Sequence, residues 1–284
     1  MPIGLSNGAG ERGQVFTPKT VHAGLLDRVQ VHAPVQQLAD RYLDLFLSYG
    51  INPEIGVNAA VLDQWDEAAL EKIACRFVEQ GRTITLHGPF MDLAPGGVDE
   101  RIRKVSAWRL QRTMDVVPSL RPQSIVFHAG YDDRRYHGHR REWLANSLSI
   151  WKPLSRQAQE MGVVIHLENV YERTPEMISA LLEEISSENV GFCLDVGHMN
   201  AFAEASLSEW LDVLGHHLRE IHLHDNDGCS DAHGPIGSGT VPFKELFRYL
   251  VEKGKRPLLT LEPHEEASLW QSLQSLEKLW PWED

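Results

Sequence analysis

Residues Ile221–Gly239 read IHLHDNDGCSDAHGPIGSG. Apolar and polar side chains alternate at the start of this stretch, as in a half-buried β-strand, and the polar, glycine-rich remainder is typical of a loop. We therefore expect His222, Asp231 and His233 to lie close together, on a strand end and the loop that follows it. Imidazole nitrogens and carboxylate oxygens are ligands of zinc, manganese and related ions. The stretch predicts a metal site.

Seven other short apolar runs resemble the one that contains His222, and segments of helical period separate them. This alternation is typical of βα units, and eight such units predict a closed parallel barrel, the α/β (β/α)8 TIM barrel. The eight predicted strands are Arg28–His32, Pro53–Val57, Thr83–His87, Ser124–His128, Val163–Glu168, Gly191–Asp195, Glu220–His224 and Leu258–Glu262.

The length of the chain agrees with a single barrel domain. The 284 residues compare with roughly 250 in a typical barrel. We expect residues 1–26 to form an N-terminal extension, residues 27–270, approximately, to form the barrel, and residues 271–284 to form a C-terminal tail. No apolar run reaches the ~18 residues of a membrane helix, so no membrane partner is expected.

Charge, cysteines and the N-terminal residues indicate a cytoplasmic protein. The first residues lack both the basic start and the apolar segment of a secretory signal. Cys75, Cys193 and Cys229 are too few and too scattered for a disulfide framework, which favours a reducing compartment. The formal net charge of −13 disfavours broad binding to polyanions such as nucleic acids.

Glycines are predicted to end several of the helices between the strands. Apolar stripes of helical period stop at Gly50, Gly81, Gly162 and Gly254, where a left-handed residue would close the helix. A capping box, Ser206–Glu209, marks the start of another helix.

Alternation within the predicted strands places polar side chains inside the barrel. Successive strand residues face opposite sides, so if Ile221 and Leu223 face the helices, His222 faces inward. A barrel interior is normally packed with branched apolar residues, and a polar one indicates an active-site mouth. The inward set is Thr83, Thr85, His87, His166, Glu168, Glu220, His222, His224, Thr260 and Glu262.

Donors also concentrate at the carboxyl ends of the strands, the rim on which barrel enzymes build their sites. Six predicted strands carry one there. These donors are His87, His128, Glu168, Asp195 with the nearby His198, His222, and Glu262.

Seven motifs carry a resemblance to a known superfamily over most of the chain. They are LHGPF at His87, FHAG at His128, HLEN at Glu168, GFCLDVGH at 191–198, IHLHDND at 221–227, DAHGPIGSG at 231–239 and LEP at Glu262. In this order they resemble the xylose isomerase-like TIM barrels, which include sugar and sugar-phosphate isomerases and epimerases and endonuclease IV, of AP endonuclease family 2.

The resemblance implies two metal arrangements. In the epimerase branch one central divalent ion, such as Mn²⁺, Mg²⁺ or Co²⁺, would be held by Glu168, Asp195, His222 and Glu262. Endonuclease IV instead holds three zinc ions. The resemblance then implies that Glu168 bridges the central ion to one held by His87 and His128, and that His198, Asp231 and His233 hold the third.

The chain departs from the endonuclease motifs where those enzymes handle nucleic acid. After His87, the run Gly88–Asp92 lacks the tyrosine and asparagine of the endonucleases. Between Asp195 and His198, Val196-Gly197 stands where they have a threonine and a small thiol or hydroxyl residue. Residues 225–227 are acidic or amide-bearing where a basic residue is expected, and Ala232 replaces an arginine. Loss of cations beside a phosphate path lowers affinity directly. A small carbohydrate is therefore favoured over nucleic acid as the partner.

The favoured hypothesis is a metal-dependent isomerase or epimerase of a small sugar or sugar phosphate. Moving a hydrogen beside a carbonyl requires a base, an acid and an electrophile that stabilises the enediolate. By resemblance and residue type, Glu168 and Glu262 form the proton-transfer pair, and His198 contacts substrate oxygens if no third ion is bound.

Two alternatives stay open. A trinuclear-zinc phosphoester hydrolase would use Glu168 to bridge metals and activate water. A barrel that keeps these donors as a non-catalytic, metal-containing binding module is the third hypothesis.

Further residues are candidates for substrate binding. Arg134 and Arg135 follow the fourth strand and could bind a phosphate, although such a basic run is also typical of a solvated loop. His32 and His224 could line the pocket or support metal ligands through hydrogen bonds, and the second role is favoured for His224. Association into a homo-oligomer is compatible with the sequence.

Overall fold

The computed structural model describes residues 23–282 and contains a closed barrel of eight parallel strands. Each strand pairs with its neighbours in sequence, and β1 pairs with β8 to close the ring. All eight predicted strands are present, which confirms the (β/α)8 fold. The strands are β1 Gln30–Pro34, β2 Asn52–Gly56, β3 Thr85–His87, β4 Ser124–His128, β5 Val164–Glu168, β6 Val190–Asp195, β7 Leu218–Leu223 and β8 Leu258–Leu261.

Helices follow the strands and cover the barrel from outside. Two short irregular helical turns also occur, a π-helical turn at Leu38–Tyr42 and a 3-10 turn at His137–His139. The helices are α1 Ala23–Leu26, α2 Val35–Gln37, α3 Leu43–Tyr49, α4 Ala59–Gln64, α5 Glu67–Val78, α6 Glu100–Asp115, α7 Val117–Leu120, α8 Asp133–Tyr136, α9 Arg140–Met161, α10 Glu176–Ile185, α11 Val196–Phe202, α12 Leu207–Leu214, α13 Phe243–Glu252 and α14 Glu266–Leu279.

The predicted helix ends agree with the structure. Gly50 and Gly162 adopt left-handed backbone angles, with φ of 65° and 71°, and cap α3 and α9. Glycine suits these positions because it has no Cβ to clash in that conformation. The capping box of α12 is complete, since Ser206 Oγ accepts from the Glu209 amide and the Glu209 side chain accepts from the Ser206 amide.

The domain boundaries differ at the C-terminal side. Helix α14 runs across residue 270, where a tail was expected to begin, and its Leu273 and Leu276 are buried in the core. These leucines continue the apolar stripe of the helix, so packing extends to about residue 279. Residues 1–22 of the predicted N-terminal extension lie outside the described residues, and α1 occupies its last part.

The apolar core lies between the strands and the helices. Strand residues of apolar parity, such as Ile165 and Ile221, are buried against the helices, and tryptophans of α9 and α12 fill the same layer. Trp210 of α12 stacks on Phe192 of β6 with ring centroids 5.9 Å apart. Because this layer holds the strands rigidly, the side chains at their carboxyl ends have defined positions. Between residues 23 and 282, no helix combines the length and apolarity needed to cross a bilayer.

Candidate metal centre and active site

The barrel rim brings the nine predicted metal donors together. His87, His128, Glu168 and Asp195 are the last residues of β3, β4, β5 and β6. The remaining five lie nearby: His222 in β7, Glu262 directly after β8, His198 in the first turn of α11, and Asp231 and His233 in the loop between β7 and α13. Parallel strands that end at the same rim converge their last side chains, which is why donors far apart in sequence meet here.

Glu168 lies at the centre of the cluster, within 3.6 Å of four histidines, and is only 1% exposed. Its Oε2 lies 3.1 Å from His87 Nε2 and 3.3 Å from His128 Nε2. Its Oε1 lies 3.2 Å from His198 Nδ1 and 3.6 Å from His222 Nδ1. One carboxylate therefore faces four imidazoles, and its two oxygens point to different groups of them.

A second group of donors surrounds His222. Its Nδ1 lies 3.2 Å from Glu262 Oε1 and 3.9 Å from Asp195 Oδ2, in addition to Glu168. His222 is buried, and neither of its ring nitrogens has a hydrogen-bond partner among the described residues. Buried polar atoms are rarely left without a partner. A ring nitrogen that has no hydrogen bond and is surrounded by three carboxylates is therefore suited to bind a cation.

The loop donors form a third group beside the strand ends. Asp231 Oδ2 lies 3.3 Å from His198 Nε2 and 3.1 Å from His233 Nε2. Within residues 23–282, Asp231 Oδ1 has no hydrogen-bond partner, although it is buried. The ring of His233 stacks between His224, at 3.8 Å, and His264, at 4.1 Å, which holds its orientation.

Hydrogen bonds to backbone carbonyls set the tautomers of three histidines. The Nδ1–H groups of His87, His198 and His233 donate to the carbonyl oxygens of Gly88, Asn169 and Glu262, at 2.9, 3.0 and 3.1 Å. A carbonyl can only accept, so each Nδ1 carries hydrogen and each Nε2 faces the carboxylates. Metal-binding histidines are typically fixed in this way by a hydrogen bond from the other ring nitrogen.

The pKa shifts in the cluster show that its carboxylates favour a nearby positive charge. Burial alone would raise the pKa of Glu168, but His128 and His222 outweigh it and hold that pKa well below its usual range. Burial opposes protonation of His87 and His233, yet Glu168 raises the pKa of His87 to about 9, and Asp231 does the same for His233. Without a cation, protons on these histidines balance the carboxylates, and a bound cation would supply that charge instead.

The donor set fits metal binding at more than one position. Ligand atoms within each of several groups lie within 4.8 Å of one another. Nitrogen and carboxylate oxygen donors suit zinc and manganese. These groups include His87, His128 and Glu168; His87, His222 and Glu262; and His198, His224, Asp231 and His233.

Of the predicted substrate-binding residues, the two histidines lie at the metal donors, whereas the two arginines pair with an acidic residue elsewhere. His224 Nε2 lies 3.0 and 3.1 Å from the two carboxylate oxygens of Asp195, and its ring is buried, so it supports a candidate ligand. His32 packs edge-on against His87 at 5.6 Å, and burial lowers the pKa of His32 to about 4. The ion pairs of Arg134 and Arg135, among residues 23–282, run to Asp132 at 3.1 and 3.5 Å, and none reaches the metal donors.

Sequence reasoning missed Glu54 in β2. It is fully buried inside the barrel, with Oε1 3.5 Å from His222 Nε2, and burial raises the pKa of Glu54 to about 7. Glu220 lies beside it and accepts hydrogen bonds from His166, at 2.6 Å, and Thr260, at 2.7 Å. The alternation in β2, with Ile55 buried against the helices, is the signal that could have placed Glu54 inside.

Comparisons with known proteins agree with this architecture. An uncharacterised protein of Methanocaldococcus jannaschii is 31% identical over 63% of this chain and 64% of its own length. A fructoselysine 3-epimerase of Escherichia coli O157:H7 is 29% identical over 58% of this chain and 61% of its own length. A probable endonuclease 4 of Mycobacterium leprae is 24% identical over 62% of this chain and 71% of its own length. The match thus spans less than two thirds of the first two relatives.

Among solved structures, a Thermus thermophilus protein soaked with ZnCl2 superimposes with a TM-score of 0.76. It is 26% identical, and the match covers 89% of this chain and 98% of that one. A family model for the xylose isomerase-like TIM barrel matches residues 53–279, which include the nine donors from His87 to Glu262. The chain therefore belongs to the xylose isomerase-like TIM barrel family.

Proposed function

We propose that this chain is a divalent-metal-dependent isomerase or epimerase of a small carbohydrate. The observation that carries the proposal is that Glu168 and Glu262, which come from different strands, both lie beside Nδ1 of His222, a candidate metal ligand. Their carboxylate oxygens lie 3.6 and 3.2 Å from His222 Nδ1. They extend from β5 and from the end of β8, which are three strands apart in the ring of eight. Two carboxylates can therefore approach one substrate carbon from different directions.

A divalent ion held by Glu168, Asp195, His222 and Glu262 would polarise the substrate carbonyl and stabilise negative charge beside it. The chain itself supplies the proton transfers. One glutamate, as the carboxylate, removes the proton from the carbon next to the carbonyl, and the other, which has first taken up a proton from solvent, returns it to the opposite face of the same carbon. Proton exchange with solvent then restores both glutamates. Although burial raises the pKa of both glutamates, His222 and the neighbouring histidines hold both pKa values well below the usual range, which suits the glutamate that acts as the base.

The surroundings of the centre support a small carbohydrate as the substrate. Phe90 is 46% exposed beside the metal donors, and its ring stacks on His128 at 4.6 Å. Its free face could pack against the C–H groups of a sugar. The similarity to a fructoselysine 3-epimerase adds a relative that is an epimerase. The net charge of −13 argues against a polyanionic substrate.

Deuterium exchange tests the reaction directly. Manganese-loaded protein is incubated in D2O with a panel of ketopentoses, ketohexoses and fructoselysine, and NMR follows deuterium entry beside the carbonyl. We expect Glu168→Gln and Glu262→Gln to lower the exchange rate by about 100- to 10,000-fold, the usual contribution of a positioned acid or base. Glu265→Gln, an exposed change near the site, is the control. Exchange at the wild-type rate in both active-site variants would refute the proposal.

Phosphoester hydrolysis is the second candidate, and the number of donors favours it. One ion needs only the donors around His222, yet His87 with His128, and His198 with Asp231 and His233, form further groups. Elemental analysis of protein purified without added metal or chelator separates the two reactions. About one ion per chain supports the epimerase, whereas two or three zinc ions with metal-dependent incision of an abasic duplex would establish the hydrolase instead.

A further inference from the structure

Asp225 anchors the loop that carries two of the candidate metal ligands. Its side chain is only 1% exposed. Oδ1 accepts hydrogen bonds from the amides of Asn226 and Val241, at 2.9 and 3.1 Å. Oδ2 accepts from the amides of Gly237 and Gly239, both at 2.9 Å. A buried carboxylate with four amide donors is well satisfied, and hydrogen bonds to a charged acceptor are stronger than neutral ones.

The four amides bracket the segment in which Asp231 and His233 lie. The backbone of Asp225 also pairs with Gly234, the residue after His233, through hydrogen bonds of 2.9 and 2.7 Å. His233 itself has a φ of 48°, in the left-handed region that few non-glycine residues adopt. A backbone in this conformation persists only when its surroundings hold it. The contacts of Asp225 supply that restraint on both sides of the strained residue.

The contacts of Asp225 also explain why glycine occupies positions 237 and 239. A Cβ added at Gly239 would lie 2.1 Å from the Asn226 carbonyl oxygen and 2.6 Å from Asp225 Oδ1. Gly237 has a φ of 89°, and a Cβ added there would meet only Ser275 Oγ, at an ordinary contact distance of 3.8 Å, among residues 23–282. Gly239 therefore lets the backbone approach the carboxylate, and Gly237 provides the turn.

We propose that Asp225 is a positioning residue: by holding residues 234–241 it places Asp231 and His233 against His198 and thereby sets the affinity for a cation there. The inference rests on the proposed metal centre, but not on the reaction. Asp225 itself contacts neither the cation nor the substrate. Its influence is expected to resemble that of other residues that orient metal ligands, whose loss lowers metal affinity by about 10- to 100-fold.

Two variants with matched controls test this role. Asp225→Asn keeps the shape but turns an NH2 group toward amide donors. Asp227→Asn is its control, because Asp227 is an exposed residue of the same loop whose side chain accepts from the Cys229 amide, at 2.9 Å. Gly237→Ala is the milder variant, which strains the turn without crowding it. Its control is Gly254→Ala. Gly254, at the end of α13, also has a positive φ, 62°, and a Cβ added there would meet no described atom within 4 Å.

The readouts are amide exchange of residues 226–241 in metal-free protein, zinc affinity by chelator competition, and the visible spectrum of the Co²⁺-substituted protein. We expect Asp225→Asn and Gly237→Ala to speed exchange in the loop, lower zinc affinity by about 10- to 100-fold and change the Co²⁺ spectrum. Both controls should match the wild type.

Loss of stability alone would not move the Co²⁺ spectrum of folded protein. Unchanged exchange in both variants would overturn the inference, as would faster exchange with wild-type zinc affinity and spectrum. The readouts require no turnover. A chain that binds ions but epimerises no sugar would refute the proposed reaction and still test Asp225, whereas a wild-type chain that binds neither ion would refute the metal centre and this inference together.

Discussion

Glu172 is expected to make the stability of this protein depend on pH. Its carboxylate is 2% exposed and accepts from the amides of Tyr131, at 3.2 Å, and Val170, at 2.7 Å. These two residues belong to the loops that follow β4 and β5, whose last residues are His128 and Glu168. Burial raises the pKa of Glu172 from 4.5 to about 7, against the opposing effect of hydrogen bonds from backbone amides. Glu172→Gln removes the titration and keeps an oxygen that can accept.

The size and sign follow from the raised pKa. Because the folded protein holds this proton more tightly than the unfolded chain, the stabilisation is complete below pH 4.5 and is lost as the pH rises through about 7. One pKa unit corresponds to about 1.4 kcal/mol, so the full difference between 4.5 and 7 is about 3 kcal/mol. Between pH 5 and pH 8 the wild type should therefore lose about 2 to 3 kcal/mol relative to Glu172→Gln.

Urea unfolding at several pH values between 5 and 8 measures this difference. The free energy of unfolding of Glu172→Gln minus that of the wild type should increase by about 2 to 3 kcal/mol across this range. Glu79→Gln, which removes one exposed carboxylate, controls for the loss of a charge. A difference between Glu172→Gln and wild type that stays constant from pH 5 to pH 8 would show that Glu172 titrates alike in the folded and unfolded chain, and our reading of its burial would be wrong.

Three further predictions concern the metal, the core and the basic loop. Since His87 and His233 have pKa values of about 9 without a cation, zinc binding at pH 7.5 should release protons, and the zinc affinity should increase as the pH rises toward 9. Calorimetry in two buffers of different ionisation enthalpy would detect the released protons. Equal heats of binding in the two buffers would contradict the prediction. Trp210→Ala removes a fully buried side chain and should cost about 3 to 5 kcal/mol in urea unfolding, and a loss below about 1 kcal/mol would show that the site is loosely packed. Arg134→Ala and Arg135→Ala should raise KM for a phosphorylated sugar but not for the free sugar; equal KM changes for both substrates would remove these arginines from phosphate binding.

The barrel could be predicted because its signals are local in sequence. Alternating apolar residues, such as Ile221 and Leu223, report which face of a strand meets the helices, and glycines such as Gly50 and Gly162 report where helices end. The inward parity of Glu168 and His222 followed from the same alternation. Leu273 and Leu276, beyond residue 270, carry a similar local signal, because their spacing of three residues is helical and both are buried in α14.

The contacts within the site could not be predicted in the same way. Alternation predicts that Glu168 faces inward, but not that one of its oxygens meets His87, 81 residues earlier in the chain. Alternation with Ile55 likewise places Glu54 inside the barrel, but it does not predict that Glu54 Oε1 lies 3.5 Å from His222 Nε2. The pairing of Arg134 with Asp132, which competes with any phosphate for that guanidinium, is visible only in the folded chain.

The number and order of the strands, the polarity of the barrel interior and the candidate donors at the rim can all be predicted from the sequence. The folded structure is needed to see which oxygen faces which nitrogen, which ring nitrogen of His87, His198 and His233 donates to a carbonyl, and how Asp225 holds the loop of Asp231 and His233. The physical reason is that strand and helix periodicity arises from the local geometry of the backbone. Distances across the rim depend on how eight strands close into one barrel.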